Sequence, residues 1–166
     1  ISFETHAVRA TGGIQLKALT VDGLSPYDML VVPGWPVDRE PDDSLLREIS
    51  ALHQRGGTVL SFCTGAFLLA AAGLLDGKSA TTHWRYADRF RDRFPEVSYV
   101  DDVLYIFEDK VGCAAGSSAA LDLGLAVIRE HHGYEIVNQV ARRLVMAAHR
   151  SGGQSQFVET PVPRTS

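Results

Sequence analysis

The chain is expected to fold as an α/β protein, a three-layer sandwich in which helices cover both faces of a mostly parallel sheet. Three observations carry this reading. Strand-like and helix-like segments alternate along nearly all of the sequence. The strand-like runs are short and continuously apolar, as in Met29-Leu30-Val31-Val32 and Thr58-Val59-Leu60-Ser61-Phe62, which is the pattern of strands covered on both faces. The second run passes into a string of helix formers within one residue, Cys63, so strand and helix are joined by a sharp turn.

Taken in order, residues 3–10 and 15–20 read as short strands around the turn signal Thr11-Gly12-Gly13. An apolar strand follows at 29–35, stopped by Pro33-Gly34. Pro41-Asp42-Asp43 opens a helix that turns Leu45, Leu46, Ile49 and Leu52 inward, and its acidic first turn suits the helix dipole. Gly56-Gly57 closes it. The strand 58–62 and an all-apolar helix at 64–72 come next, the helix uniform enough to be buried on every side. A short strand ends near Ala80, and a helix runs over 84–94 with Ala87, Phe90 and Phe94 inward. Three short strands are expected at 97–100, 104–108 and 110–113, with turns at Asp101-Asp102 and Glu108-Asp109. Gly116-Ser117-Ser118 starts a long helix to His132. A last helix over 134–149 is expected to bury Ile136, Val137, Val140, Leu144 and Val145.

With 166 residues, 45% hydrophobic and 22% charged, the sequence has the size and balance of one globular domain. The net charge of -4 gives no overall pull on nucleic acid or an anionic membrane. The longest apolar stretch, 66–75, is about half of a membrane span. Two cysteines are too few for a disulfide framework, and a cytoplasmic setting is expected. The chain starts at Ile1 inside a strand-like run and ends in a Pro-, Thr- and Ser-bearing tail that reads as a linker, the pattern of a piece of a longer protein.

The chemistry concentrates at Cys63. Small residues two places either side, Ser61 and Gly65, are what a nucleophile elbow needs, because the turn is too tight for bulk. At the first turn of a helix, unpaired N–H groups and the dipole favour a thiolate. The alternative is a small buried hydrophobe, where free cysteines usually lie. In parallel sheets ligands gather at the carboxyl ends of strands, where three loops fall here: Pro33-Gly34-Trp35, Phe62-Cys63-Thr64-Gly65 and Thr81-Thr82-His83-Trp84. Backbone N–H groups at Gly34, with that of Thr64, could form an oxyanion hole. His83 is placed to approach Cys63, and Cys plus His is the smallest set for thiol catalysis. A structural histidine and a core tryptophan are the plain alternatives for His83 and Trp84. Arg85, Arg89, Arg91 and Arg93 interleave with Asp88 and Asp92 as a solvated face, with a basic docking patch as the alternative. His131 and His132 suit a helix C-terminus better than a metal. No metal and no cofactor are called for.

Three stretches carry a resemblance: Pro33-Gly34-Trp35, the run SFCTGAFLLAAAGLLDGKSATTHW from Ser61 to Trp84, and AAGSSAALDLGLAVIREHHG from Ala114 to Gly133. Together they resemble the PfpI-like branch of the class I glutamine-amidotransferase-like superfamily. The run RRLVMAAHRSGGQSQFVE from Arg142 to Glu159 resembles the end of the amidotransferase-like domain in AraC-type transcriptional regulators. The resemblance implies a flavodoxin-like sandwich over 1–150, with its first strand lying before Ile1. It implies a linker over 151–166 towards a helix-turn-helix domain outside this sequence. It further implies a homodimer that senses a small-molecule effector and meets DNA only through that other domain, with no membrane partner. Gly34, Trp35, Cys63, Thr64, Gly65, His83, Trp84 and Gly116 would line the ligand site. The runner-up is a thiol enzyme of the isonitrile hydratase kind, with Cys63 and His83 catalytic; a catalytically silent oligomerisation module is the third class. True amidotransferases carry a glutamate two residues after the histidine, where this chain has Arg85. The acidic residue that enzymes of the branch take from their first strand–loop unit would lie before Ile1.

Overall fold

The structure of the chain, a computed structural model, describes residues 8–9 and 13–152. Its elements are β1 (Val8–Arg9), β2 (Gln15–Leu16), β3 (Met29–Val32), α1 (Asp43–Gln54), β4 (Thr58–Phe62), α2 (Ala66–Ala71), β5 (Ser79–Ala80), α3 (Ala87–Arg93), β6 (Ser98–Tyr99), β7 (Tyr105–Glu108), β8 (Val111–Ala114) and α4 (Ser117–Leu144). The central sheet has the order β3-β4-β8-β7. In it β3, β4 and β8 run parallel, and only β7 is antiparallel. The α/β sandwich with a mostly parallel sheet is therefore present.

Alternation along the strands sorts the side chains into two cores. Val59 of β4 and Val111 and Cys113 of β8 pack on one face with Ile49 and Leu52 of α1, the whole inner run of α2, and Phe90 of α3. Leu60 and Ala114, one residue out of phase, pack on the other face with Ala119, Leu123 and Val127 of α4. Apolar residues at consecutive strand positions thus serve opposite faces, which is why the runs are continuous rather than alternating. Helix α2 is buried from Ala66 to Ala70, as its uniform composition predicts. Phe67 meets Phe90 edge-to-face at 5.1 Å and ties α2 to α3.

The hairpin between β7 and β8 turns on Asp109 and Lys110, with φ of 50° and 63°. Two residues with positive φ match the twist of an antiparallel pair, so the tight turn lies one residue later than the sequence suggests. Strand β6 pairs with β5 in a separate two-stranded parallel ribbon. Of the strand expected over 3–10, the described part, Val8–Arg9, pairs antiparallel with Gln15–Leu16. The rest of it, and residues 153–166 of the expected linker, lie outside the described residues.

Helix α4 breaks at Gly133 (φ 78°, ψ 179°), where the sequence ends one helix and starts the next, and Val137 is buried as expected, with Ala141 and Leu125. The cover of the second half and its end depart from expectation. That half covers only a narrow stripe of another helix rather than a sheet, so Ile136 (42% exposed) and Leu144 (47%) stay open to solvent instead of buried. The helix also stops five residues early. Val145 is left-handed (φ 55°), its N–H donates to Arg142 O, and Met146 N–H donates to Ala141 O, a Schellman ending. Val145, expected in the core, is 91% exposed. Beyond it the chain runs back across α4: Arg150 Nη2 donates to Asp122 Oδ2 at 2.9 Å, and Gly152 O accepts from Leu104 N–H at 2.6 Å.

Candidate functional site

The elbow forms because strand β4 cannot continue past Phe62. Cys63 is left-handed (φ 53°), an uncommon conformation for a residue with a side chain, and 63–65 form a tight turn that feeds α2. The flanking small residues are required by contact. A Cβ on Gly65 would lie 2.4 Å from the carbonyl oxygen of Val32 and 3.2 Å from Ser61 Cβ. Ser61 is fully buried, and its hydroxyl donates to Gly112 O at 3.3 Å across the sheet. The Ser-x-Cys-x-Gly spacing therefore reflects how closely β3, β4 and β8 converge beneath the turn.

Two loops are bonded to this elbow and a third passes close to it. Thr64 Oγ1 accepts from the Trp35 N–H at 3.1 Å, which fixes the loop after β3. Thr82 Oγ1 donates to Cys63 O at 2.7 Å, which fixes the loop after β5. The loop between β8 and α4 passes below: a Cβ on Gly116 (φ 147°) would lie 3.0 Å from His83 Cδ2 and 3.9 Å from Cys63 Sγ. Gly116 is thus the floor over which Cys63 and His83 meet, and any side chain there would fill the space between them. The structure brings Gly34, Trp35, Cys63, Thr64, Gly65, His83 and Gly116 together, with Trp84 beside His83 at 5.4 Å between ring centroids.

The Trp35 amide next to Gly34 is engaged by Thr64 Oγ1. The Thr64 hydroxyl, which the sequence did not single out, takes it because the two loops approach side by side.

His83 Nδ1 accepts the N–H of Arg85 at 3.2 Å, capping the turn Trp84–Tyr86. Burial, and then the Arg85 charge, hold its pKa below the ordinary histidine value. The ring is therefore neutral near pH 7, and with Nδ1 accepting, its proton resides on Nε2. At Nε2 His83 therefore presents a hydrogen-bond donor, with Nδ1 occupied by the Arg85 amide. Arg85, where amidotransferases carry glutamate, lies with its guanidinium 5.5 Å from the Trp84 ring centroid. Arg39 stacks on Trp35 at 5.2 Å, and Trp35 Nε1 donates to Arg39 O at 2.9 Å. The loops after β3 and β5 thus each carry a tryptophan with an arginine on its face.

The arginines of α3 have specific partners. Arg89 pairs with Asp38, and Arg93 reaches Glu40 at 2.6 Å and Val37 O at 2.9 Å, so two arginines clamp the loop that carries Trp35. Arg91 pairs with Asp88 and Asp101. The alternation of arginine and aspartate within the helix gave no sign of the clamp, because Asp38 and Glu40 are some fifty residues away in sequence. Cys113 lies buried below the elbow, and burial pushes its thiol up to about 11. Cys63 is half-buried. His131 and His132 are exposed just before the break at Gly133. Among the described residues, no three His, Cys, Asp or Glu side chains gather as a metal site would require.

Comparison with known proteins places this geometry. Residues 1–130 match the DJ-1/PfpI family. The chain is 32% identical over 157 residues to the HTH-type transcriptional regulator CdhR of Pseudomonas aeruginosa, covering 89% of this chain and 46% of that protein. It is 32% identical over 146 residues to an isonitrile hydratase of Pseudomonas putida, covering 84% of this chain and 61% of the enzyme. In fold, an AraC family transcriptional regulator from Pseudomonas putida superposes with a TM-score of 0.75 at 22% identity, over 86% of this chain and 77% of that one. The match thus reaches through the elbow, the histidine loop and the Gly116 floor, and the chain belongs to the DJ-1/PfpI family.

Proposed function

We propose that this chain is the effector-sensing and self-association domain of an AraC-type transcriptional regulator, acting in the cytoplasm as a homodimer. On this reading it binds a small molecule at the Cys63–His83 site and reaches DNA through a helix-turn-helix domain outside this sequence. The observation that carries the reading is the 32% identity to CdhR over 89% of this chain, with the chain spanning less than half of that regulator. The site supports it. A neutral His83 with its proton on Nε2 donates to an acceptor on the ligand, Cys63 Sγ lies near it across Gly116, and Trp84 packs beside the His83 ring. Such a set suits equilibrium binding, each hydrogen bond contributing about 1–3 kcal/mol when a charged partner is involved.

The second reading, a thiol enzyme of the isonitrile hydratase kind, draws on the left-handed Cys63 beside a histidine and on the likeness to the hydratase. For His83 to accept a proton from Cys63, Nε2 must first lose its own, and Nδ1 is already engaged by the Arg85 amide. The test uses the complete protein, assayed with small amides, isonitriles and aldehydes for turnover and for ligand-dependent promoter control. The sensing role predicts promoter control whose effector affinity shifts by about 1–3 kcal/mol in Cys63→Ala and His83→Ala. Robust turnover lost in Cys63→Ala, with no helix-turn-helix encoded after Ser166, would overturn it.

A further inference from the structure

We infer that residues 150–152 form a clasp, coupled through the backbone to the floor of the Cys63–His83 site, that tightens when the site is filled. The inference rests on the sensing role proposed above and supplies its output: a change at the point where the chain leaves the described domain. The route is short. Gly116 lies against both Cys63 and His83, a Cβ on it falling 3.0 Å from His83 Cδ2 and 3.8 Å from Cys63 Cβ. Its neighbour Ala115 donates to Leu104 O at 2.8 Å, and Leu104 N–H donates to Gly152 O at 2.6 Å. Tyr105 Oη donates to Arg150 O at 3.3 Å. The fit leaves no slack, since a Cβ on Gly152 would lie 2.4 Å from Tyr105 O.

The clasp is half made. Asp122, whose side chain is 1% exposed, accepts from Arg150 Nη2 through Oδ2. Its second oxygen, Oδ1, and Arg150 Nε are both buried without a partner. An acceptor and a donor thus lie orphaned on the same two side chains, whereas a guanidinium and a carboxylate in register make two parallel bonds. Closing the second bond satisfies both atoms. Asp122 is carried by α4, which begins immediately after Gly116. A displacement of the floor therefore reaches the pair twice, through Ala115–Leu104–Gly152 and through the start of α4. A ligand pressing on Gly116 shifts the pair from one bond to two.

The test needs neither the effector nor DNA. In the 166-residue chain, iodoacetamide serves as the site-filling probe: Cys63 Sγ displaces iodide, an S–C bond forms, and the thiol proton passes to buffer. The buried Cys113 stays unmodified. Amide hydrogen exchange at Leu104 reads the clasp, with the amides of β4 as the control for folding. Labelling should slow Leu104 exchange about tenfold, within the range of coupling between sites. Arg150→Lys keeps the charge and removes the planar fork, so it should fold and lose the slowing; Asp122→Asn should lose it as well. Unchanged or faster exchange on labelling, or equal slowing in Arg150→Lys, would overturn the clasp. Promoter control with an unresponsive clasp sinks the clasp alone, and a responsive clasp without promoter control sinks the sensing role.

Discussion

Replacing Gly65 by alanine tests the elbow at its tightest point. The added methyl would lie 2.4 Å from Val32 O, where such contacts are essentially never under 3.0 Å. Val32 cannot yield freely, because it is buried and its register is fixed opposite Ser61 in the parallel ladder. Ser61 and Val32 Cγ1, both at 3.2 Å from the new atom, close the other directions. The substitution belongs at the upper end of overpacking, about 3 kcal/mol. For a domain of this size that lowers Tm by about 6–12 °C. Gly77→Ala is the control for backbone strain without a clash: that glycine is left-handed (φ 69°), which Gly65 (φ -57°) is not, and it meets nothing within 4 Å. It should cost only the backbone term, about 1 kcal/mol. Thermal and urea unfolding of the two variants beside the parent measure the difference. If Gly65→Ala costs no more than Gly77→Ala, the convergence of β3 and β4 beneath Cys63 is not the reason for glycine there.

Three further outcomes follow from the same geometry. Iodoacetamide near neutral pH should label Cys63 and spare Cys113, which is buried with its thiol pushed up to about 11; equal labelling by peptide mass mapping contradicts this. Because the folded-state pKa of His83 is lowered, the unfolded chain binds its proton first as pH falls. Stability from His83 is therefore full above about pH 6.5 and is lost as pH drops through the folded value. The urea midpoint of the parent should converge on that of His83→Gln between pH 7.5 and 5, and a constant gap argues against it. Val145→Gly should raise stability by about 1 kcal/mol, since a β-branched residue holds a left-handed position and, at 91% exposure, little packing is lost. An unchanged or lower Tm would show that Val145 has a partner worth more than its strain.

The sequence made the elbow legible because its demands are local. Ser61, Cys63 and Gly65 sit within five residues, and the contact between Gly65 and Ser61 Cβ acts over that distance, although the tightest one, with Val32 O, comes from another strand. The order of strands and helices was legible for a similar reason, since apolar runs and glycine breaks state it directly. What stayed hidden was long-range or depended on how much cover an element receives. Thr82 bonding Cys63 O, and Arg89 and Arg93 reaching Asp38 and Glu40, join segments whose spacing carries no signal. Gly116 came forward through resemblance, although a glycine between a strand and a helix is itself a sign of close approach. The helix expected over 134–149 is present as far as Leu144 and buries Val137, but the rest of its expected burial was misread because periodicity tells which side is apolar, not whether anything lies against it. Ile136 and Leu144 fit the pattern and still face solvent.

The two loops beside the elbow are fastened by different forces. Thr82 joins the histidine loop to the elbow through a part-buried hydrogen bond between neutral groups. The tryptophan loop also leans on Arg89–Asp38 and Arg93–Glu40, whose carboxylates are about four-fifths exposed. Dissolved ions compete with exposed pairs and barely touch the buried bond. Ionic strength is therefore a selective handle: added salt loosens the loop bearing Trp35 while the loop bearing His83 holds its place. Ligands that rest on Trp35 should weaken in salt, and ligands held by His83 alone should not. A pair of titrations at low and high salt thus reports which loop a bound molecule touches, before any complex has been seen.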